Sequence, residues 1–434
     1  MRCFTLALLA AAIVMLISAT TYAATPPEVK LIEQLSAAMQ SGQLDAAQRL
    51  VATEDSINSS NPEVLFLTGQ ILAASNRNAQ AVKAYEKALK IDDQPRIRLE
   101  LASLFAKTGL ALKATQQLQT VASMKPPPPA NVQANIDAMQ KQVTASQPWQ
   151  LRASAGYLTD SNVNAGPVGT TATLFGVPFT FTPGTMPQAD QAATASAQLN
   201  SSFALSPDWS LQTSFSANKV NYKQQQQFNS GAYMLGAGAT WRDGPWALSV
   251  PVAFDLLSIG SAVFGKTISI SPSAEYAINR QNVITASLGM QRRLYTANAD
   301  REGNGQSAVL GYRYVLNEQG SFVGLHARSG RERTRQNYLD NDVTALTPSI
   351  YWALPAGFSI YSQLSVTQSR YRDAEPAYTE ARNDNNYSLN INIGKQLTQS
   401  VSLALAFTKT RNQSNLAIYD FVRQQVALQL SGAY

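Results

Sequence analysis

From Trp149 to Tyr434 the chain repeats one local pattern, an apolar residue at every second position between turn signals. No other feature limits its fold as much. Trp246, Leu248, Val250, Val252, Phe254 and Leu256 form one such series, and Val401, Leu403, Leu405 and Phe407 form another. Successive residues of a strand face opposite sides of its sheet, so each segment has one greasy and one polar face. Ser, Thr, Asn and Gln take the polar positions, and charged residues are only 14% of the chain, against roughly 25% in soluble domains. A lumen accepts neutral polar groups, whereas lipid rejects charge. Apart from the N-terminus, no apolar run approaches the ~18–20 residues that a spanning helix needs. A closed barrel is then the remaining way for this chain to cross a bilayer.

Tight turns are read at 206–208, 242–245, 279–282, 317–320, 355–357 and 398–400. A Gly-, Pro- and Thr-rich loop runs from Asp160 to about Asp190, and longer connections follow near 224–227, 260–265, 297–304, 336–341, 373–385 and 412–419. This predicts a fourteen-stranded antiparallel transmembrane β-barrel over 149–434, with short turns toward the periplasm and long loops outside. Tyr434 ends a strand in which Val426, Leu428, Leu430 and Gly432 alternate. That ending resembles the C-terminal signal read by the barrel-insertion machinery, which makes this machinery an expected partner.

The N-terminal region reads differently. Residues 1–24 have a positive Arg2, an apolar stretch from Phe4 to Ile17 and then small residues, which predicts a signal peptide cleaved after Ala23 or Ala24. The single cysteine, Cys3, would leave with it, so no disulfide or thiolate site is expected. Residues 25–125 show helical spacing in two units 33 residues apart: Leu65, Gly69, Leu72, Ala81, Tyr85 and Ala88, then Arg98, Ala102, Phe105, Ala114, Leu118 and Val121. Small residues recur where paired helices approach, and bulky ones where pairs stack. The signature Gly69, Ala81, Tyr85, Ala88, Ala102, Phe105 and Ala114 resembles the tetratricopeptide repeat, apart from Arg98, and the segment around Gly42, Ala46 and Leu50 looks like a degraded earlier repeat. Residues 126–148 form a joint: Pro126 to Pro129 are stiff, and Val132, Ile136, Met139 and Val143 make one helical stripe. Its expected role is a cap on the repeat stack, with docking to the barrel rim as the alternative. The fold class is thus α plus membrane β, a short tetratricopeptide-like domain followed by a fourteen-stranded barrel.

Residues for catalysis are hard to find. The one histidine, His326, alternates with Val323, Leu325 and Ala327 and so faces the lumen, where it fills a polar position. No phosphate-binding glycine loop or His–Glu metal spacing is present, and no basic run is interleaved with aromatics. The chain reads as no enzyme, with no catalytic, cofactor or metal site and no nucleic-acid partner. Arg331, Arg333 and Arg335 share the outer face of an outward-running strand, a position suited to lipopolysaccharide phosphates in the outer-membrane lipid.

The segment Gly156-Tyr157-Leu158-Thr159-Asp160-Ser161-Asn162-Val163-Asn164 closes the first strand. It resembles the opening of the barrel in the surface lipoprotein assembly modifier (Slam) family, with Asp160, Ser161, Asn162 and Asn164 carrying the likeness. The order of domains and the strand count agree with that family over almost the whole mature chain, although its repeat domains are longer. The resemblance implies an outer-membrane translocon that carries lipoproteins or related secreted protein cargo to the surface. It also implies an N-terminal domain in the periplasm that holds cargo or a chaperone, and no covalent chemistry. Two other readings stay open, an exopolysaccharide export barrel and a general porin.

Overall fold

The computed structural model describes residues 26–41, 43–51, 59–145 and 148–434. The expected signal peptide over 1–24, Cys3 and Gly42 lie outside the described residues. Seven α-helices come first among the described residues: α1 (Pro26–Gln40), α2 (Leu44–Val51), α3 (Pro62–Ala74), α4 (Asn78–Ile91), α5 (Pro95–Lys107), α6 (Ala111–Ala122) and α7 (Ala130–Ala145). Pro62 and Pro95 begin α3 and α5, where a missing N–H costs nothing. Asn61 caps α3 by accepting the Glu63 amide at 2.9 Å.

The helices pack as pairs. Gly69 of α3 lets Tyr85 of α4 lie against its backbone: a Cβ there would stand 2.5 Å from the ring. Tyr85 is 1% exposed, and Ala81, Ala88, Ala102 and Ala114 are completely buried. Phe105 joins the same core, which also takes Leu35 of α1 and Ala47 and Val51 of α2. Ala46 and Leu50 are half-buried. The stripe on α7 faces the stack: Ile136 packs with Ala102, Leu118 and Val121, and Val143 enters the main core. The last helix thus packs its apolar stripe against the helices before it.

Strands follow. β1 (Trp149–Asp160) precedes a small hairpin of β2 (Thr171–Leu174) and β3 (Val177–Thr180). Then come β4 (Asp190–Ala204), β5 (Trp209–Tyr222), β6 (Ser230–Asp243), β7 (Trp246–Ile259), β8 (Ala262–Ile270), β9 (Ser273–Ala277) and β10 (Asn282–Tyr295). The remainder are β11 (Gly303–Val315), β12 (Phe322–Thr334), β13 (Asn341–Ala353), β14 (Phe358–Ala374), β15 (Ala381–Gln396), β16 (Val401–Ser414) and β17 (Phe421–Ala433). Each barrel strand pairs antiparallel with its neighbours, and β17 pairs with β1 from Arg152↔Ala433 to Asp160↔Gln425, which closes the cylinder. β8 and β9 are two halves of one wall strand, in one register against β7 and interrupted at Pro272, which has no amide proton to donate. Counted so, the barrel has fourteen strands.

The six tight turns fall where the sequence places them. Local polar bonds close several: the Trp209 amide donates to Ser206 Oγ at 3.1 Å, the Asn282 amide to Asn279 Oδ1 at 2.9 Å and the Ser321 amide to Asn317 Oδ1 at 3.0 Å. One expectation is corrected. The connection near 260–265 is not a long loop; β7 and β8 continue to Ile259 and Ala262 and turn through Gly260-Ser261, with Gly260 at φ +63°. Strand ends above the lipid need no apolar alternation, so their sequence reads as loop. Outward aromatics gather at the short-turn end, where the Trp246 and Tyr276 rings meet tilted at 4.5 Å and Trp209, Trp352 and Phe358 are exposed, as in a barrel's aromatic girdle.

Candidate functional site

Residues that alternate with the exposed apolar series face the interior. Along β13 to β16 this wall is a ladder of hydroxyls and amides: Thr347 and Ser365 lie 3.3 Å apart, Asn390 donates to Thr408 at 2.9 Å and Asn386 to Asn412 at 3.2 Å. Arg293 and Glu332 pair at 2.6 Å on the wall opposite in sequence, where Arg313, Arg328 and His326 also take inward positions. The interior is hence polar, with Glu332 pairing one of its inward arginines.

At the long-loop end, Asp160 is the last residue of β1 and is 2% exposed. Its inward position follows from the parity of exposed Tyr157. Arg423 of β17 donates from Nε to both carboxylate oxygens at 3.0 Å, and its Nη2 completes a bidentate pair. Tyr222 of β5 donates its hydroxyl at 2.9 Å, Gln425 its amide at 2.8 Å, and the Asn162 backbone its N–H at 3.0 Å. Beneath this knot Leu158, Val163, Ala192 and Tyr222 form a small apolar cluster.

The rest of the motif folds the loop. Asn162, 1% exposed, accepts from the Gly166 amide at 2.7 Å and donates to the carbonyls of Gly166 and Val422, each at 2.9 Å. Asn164 accepts from the Gln188 amide at 3.0 Å and donates to Met186 at 2.9 Å, so the loop's two ends are sewn together. Ser161 accepts from the Gln424 amide at 2.8 Å. The loop then lies along the rim: Val168 donates to Asp420 at 2.8 Å, and Phe175, in the β2–β3 turn, donates to Ala377 at 2.8 Å. Asp160, Ser161, Asn162 and Asn164 thus act as one latch that ties the first loop to itself and to β17 at the rim. The sequence marks these four residues only by their family likeness and does not mark Tyr222, Arg423, Gln425 or Asp190, whose carboxylate accepts the Gln224 and Gln225 amides at 2.8 and 2.7 Å. The partners come from distant strands, and nothing local marks them.

On the same rim Tyr419 donates to Glu375 at 2.9 Å, and burial, with Glu375 beside it, pushes the phenol up to about 12. Arg331 and Arg333 stand on the outer face. Arg333 is held by Asp342 at 2.9 Å, and Arg335, one residue beyond β12, by Glu302 at 2.6 Å. Arg331 has no carboxylate partner among the described residues. At the opposite end, Tyr434 exchanges backbone hydrogen bonds with Leu151 at 2.8 and 2.9 Å, and its ring lies 5.3 Å from Trp149.

The helical array meets the barrel at the short-turn end. The Gly244 amide, in the β6–β7 turn, donates to the Asn76 carbonyl in the α3–α4 turn at 3.3 Å. A methyl group at Gly109, in the α5–α6 turn, would stand 3.3 Å from Cβ of Ala204 before the β4–β5 turn. Two helical hairpins therefore rest their turns on two barrel hairpins. No group of three or more His, Cys, Asp or Glu side chains is placed to hold a metal among the described residues.

The profile of a family described as surface lipoprotein assembly modifier matches residues 149–434. No curated protein matches the chain. Among solved structures, a loop-deletion mutant of OmpT, an outer membrane protein of Vibrio cholerae, has 6% identity over 66% of this chain and 100% of its own, with a TM-score of 0.38. An anion-selective porin from Comamonas acidovorans has 7% identity over 66% and 98%, at 0.40. A type III secretion chaperone of Yersinia enterocolitica, in complex with a translocator peptide, has 14% identity over 29% and 97%, at 0.26. These structural likenesses carry no argument about function.

Proposed function

Since the chain belongs to the surface lipoprotein assembly modifier family through its whole barrel, we propose that it is a translocon moving particular lipoproteins, or related protein cargo, from periplasm to cell surface. It is an outer-membrane β-barrel protein of a family concerned with assembly at the surface rather than with catalysis. The observation that carries the finer reading is the seating of α3–α6 on the turns at Gly244 and Ala204. Short turns of such barrels face the periplasm, so the helices stand where cargo arrives. A stack of tetratricopeptide-like pairs offers an extended surface to a cargo segment or its chaperone. The polar lumen and the loop latched along its rim suit controlled passage better than a constantly open pore.

The test is to delete the gene and compare the proteins exposed on the cell surface. One or a few lipoproteins should disappear from the surface, with capsule and small-solute uptake intact, and return with the full chain. Loss of a surface polysaccharide instead, or of solute uptake alone, would reject the translocon.

A further inference from the structure

The outer face of β10 to β14 changes character abruptly at the long-loop end. Exposed Ile284, Leu288 and Met290 on β10 are followed by Arg292, with exposed Leu294 beyond it; Val323 and Leu325 on β12 give way to Arg331 and Arg333, and Leu364 and Val366 on β14 to Arg370 and Arg372. Pairing sets these residues side by side. Arg292 lies opposite Asn304, and Asn304 opposite Arg333. One step nearer the lipid, Gln306 lies opposite Arg331, Arg331 opposite Asp342, and Asp342 opposite Arg370. Strands are ~4.8 Å apart, so arginines two strands away from each other stand about 10 Å apart.

Five arginines thus share one outward patch with a single outward carboxylate, Asp342, which Arg333 takes at 2.9 Å. The buried Asp340 reaches Arg372 at 3.8 Å. Arg292, Arg331 and Arg370 are exposed and have no carboxylate partner among the described residues. Outward aromatics at the far end, Trp352 and Phe358, have no counterpart here among these strands. An interface lined with guanidinium groups instead of rings is arranged for phosphate, which guanidinium binds through paired hydrogen bonds.

We propose that this patch, centred on Arg292, Arg331 and Arg370, binds the phosphorylated sugar headgroup of an outer-leaflet glycolipid, with the acyl chains lying on Leu288, Leu325 and Leu364 below. Its height at the edge of the apolar band, where Leu294 is exposed beside Arg292, favours a lipid over a soluble phosphate. The proposal rests on the long-loop end facing outward, but binding in detergent does not depend on orientation or on cargo transport, so it fails or stands independently of the translocon reading.

The experiment uses the full chain in mixed micelles and native mass spectrometry, with bisphosphorylated lipid A as probe beside the same lipid with its phosphates removed. Phosphorylated lipid A should remain bound to the wild type, and the dephosphorylated form should not. The triple variant Arg292→Gln, Arg331→Gln, Arg370→Gln should lose at least ~tenfold in binding. The triple Lys variant should keep part of it, and Lys219→Gln, on β5 away from the patch, should keep all of it. Heat-modifiable gel migration checks that every variant is a folded barrel. Equal retention of the two lipids, wild-type binding by the folded triple Gln variant, or displacement of lipid A by inorganic phosphate alone would overturn the proposal.

Discussion

Replacing Asp160 with Ala tests whether the motif is a latch. The substitution removes the acceptor of bonds from Arg423, Tyr222, Gln425 and the Asn162 amide at once, and leaves the Arg423 guanidinium facing the vacated site. Breaking a buried ion pair by deleting one partner costs ~3–5 kcal/mol. The Asp160 side chain is wholly buried but that of Arg423 is 27% exposed, so retained hydration puts the cost at the low end, about 3 kcal/mol. These bonds tie β1 and the first loop to β17 and β5, while the rest of the barrel keeps its ladders. The loss therefore falls on local opening of the loop. At 1.4 kcal/mol per tenfold, that opening should become on the order of a hundredfold more frequent. Asp160→Asn keeps acceptors for Tyr222 and Asn162 but loses the charge, and should cost ~1–2 kcal/mol, about tenfold. Hydrogen exchange at the Val163 and Gly166 amides, whose acceptors are Gln188 O and Asn162 Oδ1, reads this directly. If exchange in Asp160→Ala stays within about threefold of wild type, in a barrel that unfolds normally, the latch does not depend on the ion pair.

Three further outcomes follow from the packing. Gly69→Val drives a side chain into the Tyr85 ring, 2.5 Å from the first added carbon, and should destabilise the helical array by at least ~1–3 kcal/mol; loss of the helical circular dichroism signal on heating, with the strand signal unchanged, measures it. Burial raises the Glu100 carboxyl, against a partial lowering by Gln70. An acid raised in the folded state favours folding below its unfolded value and loses that advantage as pH climbs through the folded one. The helices should then melt at lower temperature as pH rises above the ordinary carboxylate range, and Glu100→Gln should flatten that slope; a slope unchanged in the variant assigns it to other groups. Removing the Tyr434 ring (Tyr434→Ala) deletes its tilted contact with Trp149, ~0.5–1.5 kcal/mol at the short-turn end of the seam, and should lower the temperature at which the barrel loses its heat-modifiable gel migration; an unchanged temperature assigns no stability to the pair.

What the sequence determined by itself is what short-range chemistry dictates. Two-residue alternation such as Trp246 to Phe254 sets which face of each strand meets lipid, and Asn, Pro and Gly set the tight turns at Ser206, Asn279 and Asn317. The 33-residue spacing of Gly69 and Ala102, Leu72 and Phe105, and Tyr85 and Leu118 likewise fixes helix pairs, because small and large residues must meet at regular intervals. Where lipid no longer enforces alternation, the reading loosened: β7 and β8 run on to a two-residue turn at Gly260-Ser261. The tertiary structure alone decided what happens at the mouth. Asp160 and Arg423 are separated by 263 residues and meet only because the cylinder closes β17 against β1, and Arg331 gains Arg370 as a neighbour only through the register of β13. Closure and register are global solutions of many pairings, so no local stretch carries them, and the contacts that give the motif and the arginines their chemistry exist only once the whole barrel is formed.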